Sequence, residues 1–416
     1  MAARKNRSWR LLAVALAGSL VMAACGDDDD DEAATATGGG QTRSVAIAFV
    51  GAKTGDNANL GLNIRDGVKL AVDEANREGG GPTIELKEFD TAGDPAQAST
   101  IRDQFLADES IVGMVGPAFS GETKALLPAI QDAGLPMISA SATNVDLPNV
   151  VPNASVFHRV IGDDALQGEG IARYLVDFEK PRGVAYIHDN TEYGKGLTEG
   201  LERAARGRGL RTALLDTVDP KAQDFSATVN KVTASGADLV FYGGYYAEAG
   251  RFKKQLTDAG SRAEFVSGDG SLDPGFITAA GAAADGSLIS CPCNLALETS
   301  SGELKQFYDS FKAAAGREPG LYSPEGYDAA KILIDAIKAG HDTRRELVNF
   351  LETEFTRYDG ISKEIEFEPN GNLVRREFFV FQVKDGKIAP HQTIRFEGAE
   401  RTTTTTAAGA TTTTTG

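Results

Sequence analysis

Four histidines, His158, His188, His341 and His391, lie far apart in the sequence, and no two have the spacing of metal ligands. His188 ends an apolar run and reads as a satisfied structural histidine. No Gly-x-Ser-x-Gly nucleophile elbow occurs. The stretch 116–123 has glycines like a phosphate loop but lacks its Gly-Lys-Ser/Thr ending. Gly168-x-Gly170 falls at a predicted helix start and is followed by Arg173, where a dinucleotide fingerprint needs glycine. Asp163-Asp164 reads as a helix cap and solvated charge, not as an acid/base dyad. Cys291 and Cys293 have no histidine nearby to complete a zinc site, and both a disulfide and two buried thiols remain open. No catalytic residue, metal or cofactor is expected.

A different set of residues gathers at the carboxyl ends of the predicted strands, where open parallel sheets bind ligands. Phe119-Ser120-Gly121 follows strand 111–115, and Ala140-Ser141-Ala142-Thr143-Asn144 follows strand 136–139. Strand 184–188 leads into Asp189 and Tyr193, strand 239–242 into Gly243-Gly244-Tyr245-Tyr246, and strand 264–267 into Gly268-Asp269-Gly270. Hydroxyls and free helix N-terminal N–H groups suit a carboxylate. A lone acid among glycines suits an ammonium group. Together they describe a site for a zwitterion.

The elements that must position these residues follow from hydrophobic period. Residues 45–50 are a buried-strand run. Leu60, Ile64, Val68, Ala71, Val72 and Ala75 then recur at helical spacing before Gly79-Gly80-Gly81-Pro82 ends that helix. Strands are predicted at 84–89, 111–115 and 136–139, with helices over 95–108 and through 126–130. After a break near 156–162, strands at 184–188, 214–218 and 239–242 alternate with helices at 193–208, 225–233 and 247–259. Uninterrupted alternation of this kind predicts an α/β chain with parallel sheets covered on both faces. The two runs predict two doubly wound, Rossmann-like lobes.

Three stretches carry a family resemblance: Ile187-His188-Asp189 with Tyr193-Gly194-x-Gly196-Leu197, then 238–246, and Met137-Ile138-Ser139-x-Ser141-Ala142-Thr143-Asn144. From Val45 to about Val383 the chain resembles the periplasmic leucine/isoleucine/valine-binding proteins, the type I solute-binding components of ABC transporters. That resemblance implies two lobes joined by three crossovers, with lobe 1 from 43–161 and 292–379 and lobe 2 from 162–291 and 380–400. It implies that Ser120 and Thr143, with nearby N–H groups including that of Ala142, hold a ligand carboxylate. The Ser141 carbonyl, Tyr245 and Asp269 would hold the ammonium, and Tyr193 would close from the second lobe. Leu60, Phe119 and Tyr322 would shape the side-chain pocket. Two departures stand out: Asp269 occupies a position that is often glutamate, and a disulfide found in some members would join positions that here are Gly93 and Phe119. The implied ligand is an amino acid, with leucine, isoleucine or valine favoured over a polar amino acid, urea or a short amide. The implied partner is a membrane permease, and a ligand-sensing receptor subunit is the rival role.

Charge and the chain ends agree with an extracytoplasmic binding protein. The 416 residues carry a formal net charge of −17, and removing residues 1–24, which hold four basic and no acidic side chains, makes it −21. A polyanion of that size repels nucleic acid and anionic lipid alike. A basic segment (Arg4, Lys5, Arg7, Arg10), an apolar run over 11–24 and Val21-Met22-Ala23-Ala24-Cys25-Gly26 resemble a bacterial lipoprotein signal, with Cys25 as the lipidated residue. Two acyl chains on that thiol would anchor the protein at the outer face of the cytoplasmic membrane. Residues 26–42 read as a flexible linker and 401–416 as a low-complexity, Thr-rich tail. A monomer is expected.

Overall fold

Strand β1 (Ser44–Gly51) is buried at every position after the first, as suits the centre of a sheet covered on both faces. In the computed structural model, which describes residues 44–374 and 377–395, β1 pairs in parallel with β2 (Thr83–Asp90) on one side and β3 (Ile111–Val115) on the other. Strands β4 (Met137–Ser139) and β5 (Phe157–Arg159) extend the sheet to the order β2-β1-β3-β4-β5. Helices α1 (Ala58–Glu78), α2 (Pro95–Leu106), α3 (Ser120–Asp132) and α4 (Leu147–Val150) connect its strands. The expected lipidation site Cys25, the linker 26–42 and the tail 401–416 lie outside the described residues.

The chain then crosses to a second sheet. Its parallel core is β6 (Val184–His188), β7 (Thr212–Thr217), β8 (Leu239–Gly243), β9 (Glu264–Ser267) and β10 (Leu288–Cys291). The accompanying helices are α5 (Asp164–Tyr174), α6 (Glu192–Gly207), α7 (Ser226–Ser235), α8 (Tyr246–Asp258) and α9 (Pro274–Ala280). A return crossing brings α10 (Gly302–Ala315), α11 (Ser323–Lys338), α12 (Arg344–Asn349) and the short pair β11 (Tyr358–Asp359) and β12 (Glu364–Ile365). A third crossing ends in the antiparallel hairpin β13 (Glu377–Lys384) and β14 (Lys387–Arg395), which completes the order β14-β13-β10-β9-β8-β6-β7. This is the expected two-lobed α/β architecture.

Three details differ from expectation or complete it. The stretch read as a break contributes β5 before the chain crosses, because Phe157, His158 and Arg159 pair with β4. The boundary placed after residue 379 falls inside β13, whose pairing with β10 already includes Phe379; the second lobe therefore gains a whole hairpin instead of a last strand. Cys291 and Cys293 are bonded to each other at the start of the return crossing.

Helix α11 packs along α1, and glycines set how closely the two approach. A Cβ at Gly67 would stand 2.2 Å from the Ser323 carbonyl oxygen, and one at Gly326 would stand 2.6 Å from that of Ile64. Both sheets reverse strand order beside their first strand, between β1 and β3 and between β6 and β8. Those two switch points open the crevice in which side chains from both lobes meet.

Candidate functional site

The two switch points are built alike. Phe119 precedes α3 in extended conformation, and its N–H donates to Glu122 Oε2 at 3.0 Å. Glu122 is fully buried and also accepts from the Thr91 hydroxyl. Burial pushes its carboxyl up to about 7 against those two hydrogen bonds. On the larger sheet Tyr245 precedes α8 and donates its N–H to Glu248 Oε1 at 2.5 Å. Burial, and then the negative charge of Asp189, raise Glu248 as well. Each buried glutamate thus satisfies an N–H that the helix start leaves free. The rings so positioned face each other, with the Phe119 and Tyr245 centroids 4.8 Å apart.

Tyr193 enters from the first turn of α6, whose start is capped by the Thr191 hydroxyl accepting from the Gly194 N–H at 3.0 Å. Its ring lies 5.2 Å from that of Tyr245. The Tyr193 hydroxyl donates to Asp269 Oδ1 at 2.7 Å and accepts from the Gly270 N–H at 2.9 Å. The Tyr322 hydroxyl donates to the other oxygen, Asp269 Oδ2. Asp269 is 1% exposed; burial raises its carboxyl above the usual range, while Tyr322, Tyr193 and Gln167 oppose that rise. Tyr322 precedes α11 with φ of 66°, a left-handed backbone that is strained for a tyrosine and recurs at functional sites.

Ser120 begins α3, and its Oγ accepts from the Asn144 N–H at 3.2 Å, leaving the hydroxyl hydrogen free to donate. Ser141 donates its hydroxyl to the Ala118 carbonyl. Leu60 of α1 supplies an aliphatic wall. These residues enclose a cavity of no more than about 220 Å³, lined by Leu60, Phe119, Ser120, Ser141, Tyr193, Tyr245, Asp269, Gly270 and Tyr322. That is below the volume of drug-sized sites and suits a small molecule. The lining thus combines a carboxylate and phenols with a serine at a helix start.

Around the cavity the two sides of the cleft are in contact. The Asn144 amide donates to the Glu192 carbonyl at 2.6 Å, Lys124 lies 2.9 Å from the Glu192 carboxylate, and the Asn59 amide donates to Asp273 at 3.0 Å.

Eight of the residues singled out from the sequence line the cavity, and two do not. Ala142 is committed elsewhere: its N–H donates to Ser139 Oγ at 3.1 Å and its carbonyl accepts from Arg159 at 3.0 Å. Thr143 is 1% exposed behind the wall, and its carbonyl accepts the Asp164 N–H at 2.8 Å. Gly270, named with Asp269 but given no role of its own, also lines the cavity; a Cβ there would stand 2.7 Å from the Gly244 carbonyl oxygen. The glutamates beneath Phe119 and Tyr245 were missed. Their signal was the acid three residues after each future cap.

Asp163 caps α5 as expected, accepting from the Leu166 N–H at 3.0 Å. Asp164 does not carry solvated charge: it is 2% exposed, and burial and then the charge of Asp269 raise it well above the usual carboxylate range. Gly93 touches the Phe119 ring, with a notional Cβ 2.9 Å from Cε2, so phenyl packing fills the space between these two positions. His188 Nδ1 accepts from the Asn190 N–H at 3.0 Å, a structural role. Among the described residues no group of three or more histidine, cysteine or carboxylate side chains is arranged to hold a metal. No described helix is long and apolar enough to cross a membrane.

Residues 44–387 match the model of a family described as periplasmic binding proteins. A Leu/Ile/Val-binding protein homolog of Brucella suis biovar 1 is 32% identical over 82% of this chain and 91% of its own length. The leucine-, isoleucine-, valine-, threonine- and alanine-binding protein of Pseudomonas aeruginosa is 26% identical over 82% of this chain and 90% of its own. Among solved structures, the branched-chain amino acid transporter substrate-binding protein LivJ of Streptococcus pneumoniae, in complex with isoleucine, superimposes with a TM-score of 0.77 at 25% identity. It covers 85% of this chain and 99% of its own. These relatives are binding proteins, not enzymes. With a family match that runs from β1 to the start of β14 and a cleft walled by both sheets, the chain belongs to the periplasmic binding protein family.

Proposed function

We propose that the protein captures a small amino acid, with leucine, isoleucine or valine favoured, in the cleft between its lobes and delivers it to an ABC permease. The observation that carries this reading is the cavity itself. Asp269 and the two tyrosines that grip it form an ammonium end, Ser120 at the start of α3 forms a carboxylate end, and Leu60 and Phe119 offer apolar walls. Contacts such as Asn144 to Glu192 across the cleft correspond to a closed form. A ligand touching both lobes favours that form by its differential affinity, and the permease would read it. Cys25 would carry the lipid that keeps the protein at the outer face of the membrane, so Cys25→Ser is expected to release it from cells.

A thermal-shift screen of ligand-stripped protein against the twenty amino acids, urea and short amides tests the reading. Ligand at 100 times its dissociation constant adds about 2.7 kcal/mol, a shift of a few degrees. A shift confined to leucine, isoleucine and valine is the expected result. A shift with polar compounds alone would move the specificity, and no shift would overturn the zwitterion site.

A further inference from the structure

Between the cavity and the first crossing lies a group of buried polar atoms that none of the site's hydrogen bonds uses. Asp164 begins α5, and neither of its carboxylate oxygens meets a hydrogen-bond donor. Thr143 Oγ1 and Gln167 Oε1, on residues 1% and 0% exposed, are in the same state. Thr143 is close enough to favour ionised Asp164, yet its hydroxyl falls outside hydrogen-bonding geometry. Asp164 is enclosed where the lobes meet: a Cβ at Gly196 in α6 would stand 2.6 Å from the Asn144 amide and 3.9 Å from Asp164 Oδ2. Its charge reaches both Asp269 and Tyr193. Of the neighbouring cation, Arg159, Nη1 serves the carbonyls of Ala142 and Asn144 and Nε serves Asn372, while Nη2, 3.6 Å from Asp163, meets no hydrogen-bond acceptor. The charge of Arg159 is felt by three carboxylates, Asp163, Asp164 and Glu368.

A buried carboxyl without a partner holds its proton, and a ligand that brings a cation close favours its ionised form on binding. We propose that Asp164 is a second carboxylate of the ligand site, which joins Asp269 in setting the negative potential at the ammonium end and makes the cleft select ammonium-bearing ligands over carboxylates of the same carbon skeleton. Asp164 does not line the cavity and acts through space. The inference rests on the amino-acid reading above and deepens it.

The test is equilibrium titration of the full chain with L-leucine and with 4-methylpentanoate, which keeps the skeleton and lacks the ammonium. In wild type, leucine is expected to bind at least tenfold more tightly. Asp164→Asn should weaken leucine about tenfold while leaving 4-methylpentanoate unchanged or improved. Equal weakening of both ligands, or unchanged leucine binding, overturns the proposal. Should Asp164→Asn not fold, Asp164→Ser serves the same comparison. A wild-type preference below tenfold overturns the proposal without any variant. A wild type that takes no amino acid overturns the amino-acid reading and this proposal together, whereas a wild type that binds leucine beside an unaffected Asp164→Asn overturns this proposal alone.

Discussion

The turn from β3 to α3 and the turn from β8 to α8 solve one problem twice, and their difference is more informative than their likeness. Each places an aromatic residue in the cleft by tying its N–H to a buried glutamate three residues on, Glu122 beneath Phe119 and Glu248 beneath Tyr245. The flanks differ. Each glutamate feels one nearby carboxylate, Asp90 at Glu122 and Asp189 at Glu248, but Glu122 is also met by the Thr91 hydroxyl. Beyond the aromatic, the smaller sheet's side contributes Ser120 and Ser141, and the larger sheet's side contributes Tyr193 and Asp269. A shared backbone device positions the rings, and the residues beside it give the cleft its polarity.

The strongest way to break that polarity is to remove the acid found on one side only. Asp269→Ala is expected to cost about 2–5 kcal/mol of ligand binding, measured by titration calorimetry, the usual penalty for unpairing a buried charge. Unchanged affinity would end the ammonium assignment.

A pH experiment sharpens the comparison at Glu122. Its carboxyl rises from 4.5 to about 7 on folding, so the native state holds the proton more tightly. Its contribution to stability is complete below pH 4.5 and is lost as pH rises to about 7, amounting to about 3 kcal/mol. Denaturant midpoints across that window should show the loss in wild type and a flatter profile in Glu122→Gln.

Glu248→Ala leaves the Tyr245 N–H without its acceptor and should destabilise the fold by about 1–3 kcal/mol in urea unfolding. Because Glu122 also accepts from the Thr91 hydroxyl, the loss should be smaller than for Glu122→Ala. The mildest change is Phe119→Leu, which keeps the apolar wall but ends the ring pair with Tyr245. About 0.5–1.5 kcal/mol is expected, read as a lowered melting temperature.

Much of this was legible beforehand because it depends on local period. Strand 184–188 reads directly from its apolar run, and the residues after it must emerge at the sheet's carboxyl edge, so Tyr193, Tyr245 and Asp269 could be placed together. Backbone direction could not be read. The Ala142 N–H goes to Ser139 Oγ and its carbonyl to Arg159, 17 residues later. Asp164 looked solvated because two adjacent acids usually are. Only the meeting of the β4 loop with α6 encloses it, and no local pattern encodes that meeting.

The glycine seam between α1 and α11 carries a consequence for how such a pocket changes its preferences. Leu60 rides on α1 and Tyr322 stands at the head of α11, so the gap between those helices is also the distance between two pocket walls. With Gly67 and Gly326 each facing the other helix's backbone, a single methyl there would act as a shim. Selection, or a designer, can therefore retune the calibre of the pocket from a lever outside it, without touching a residue the ligand meets.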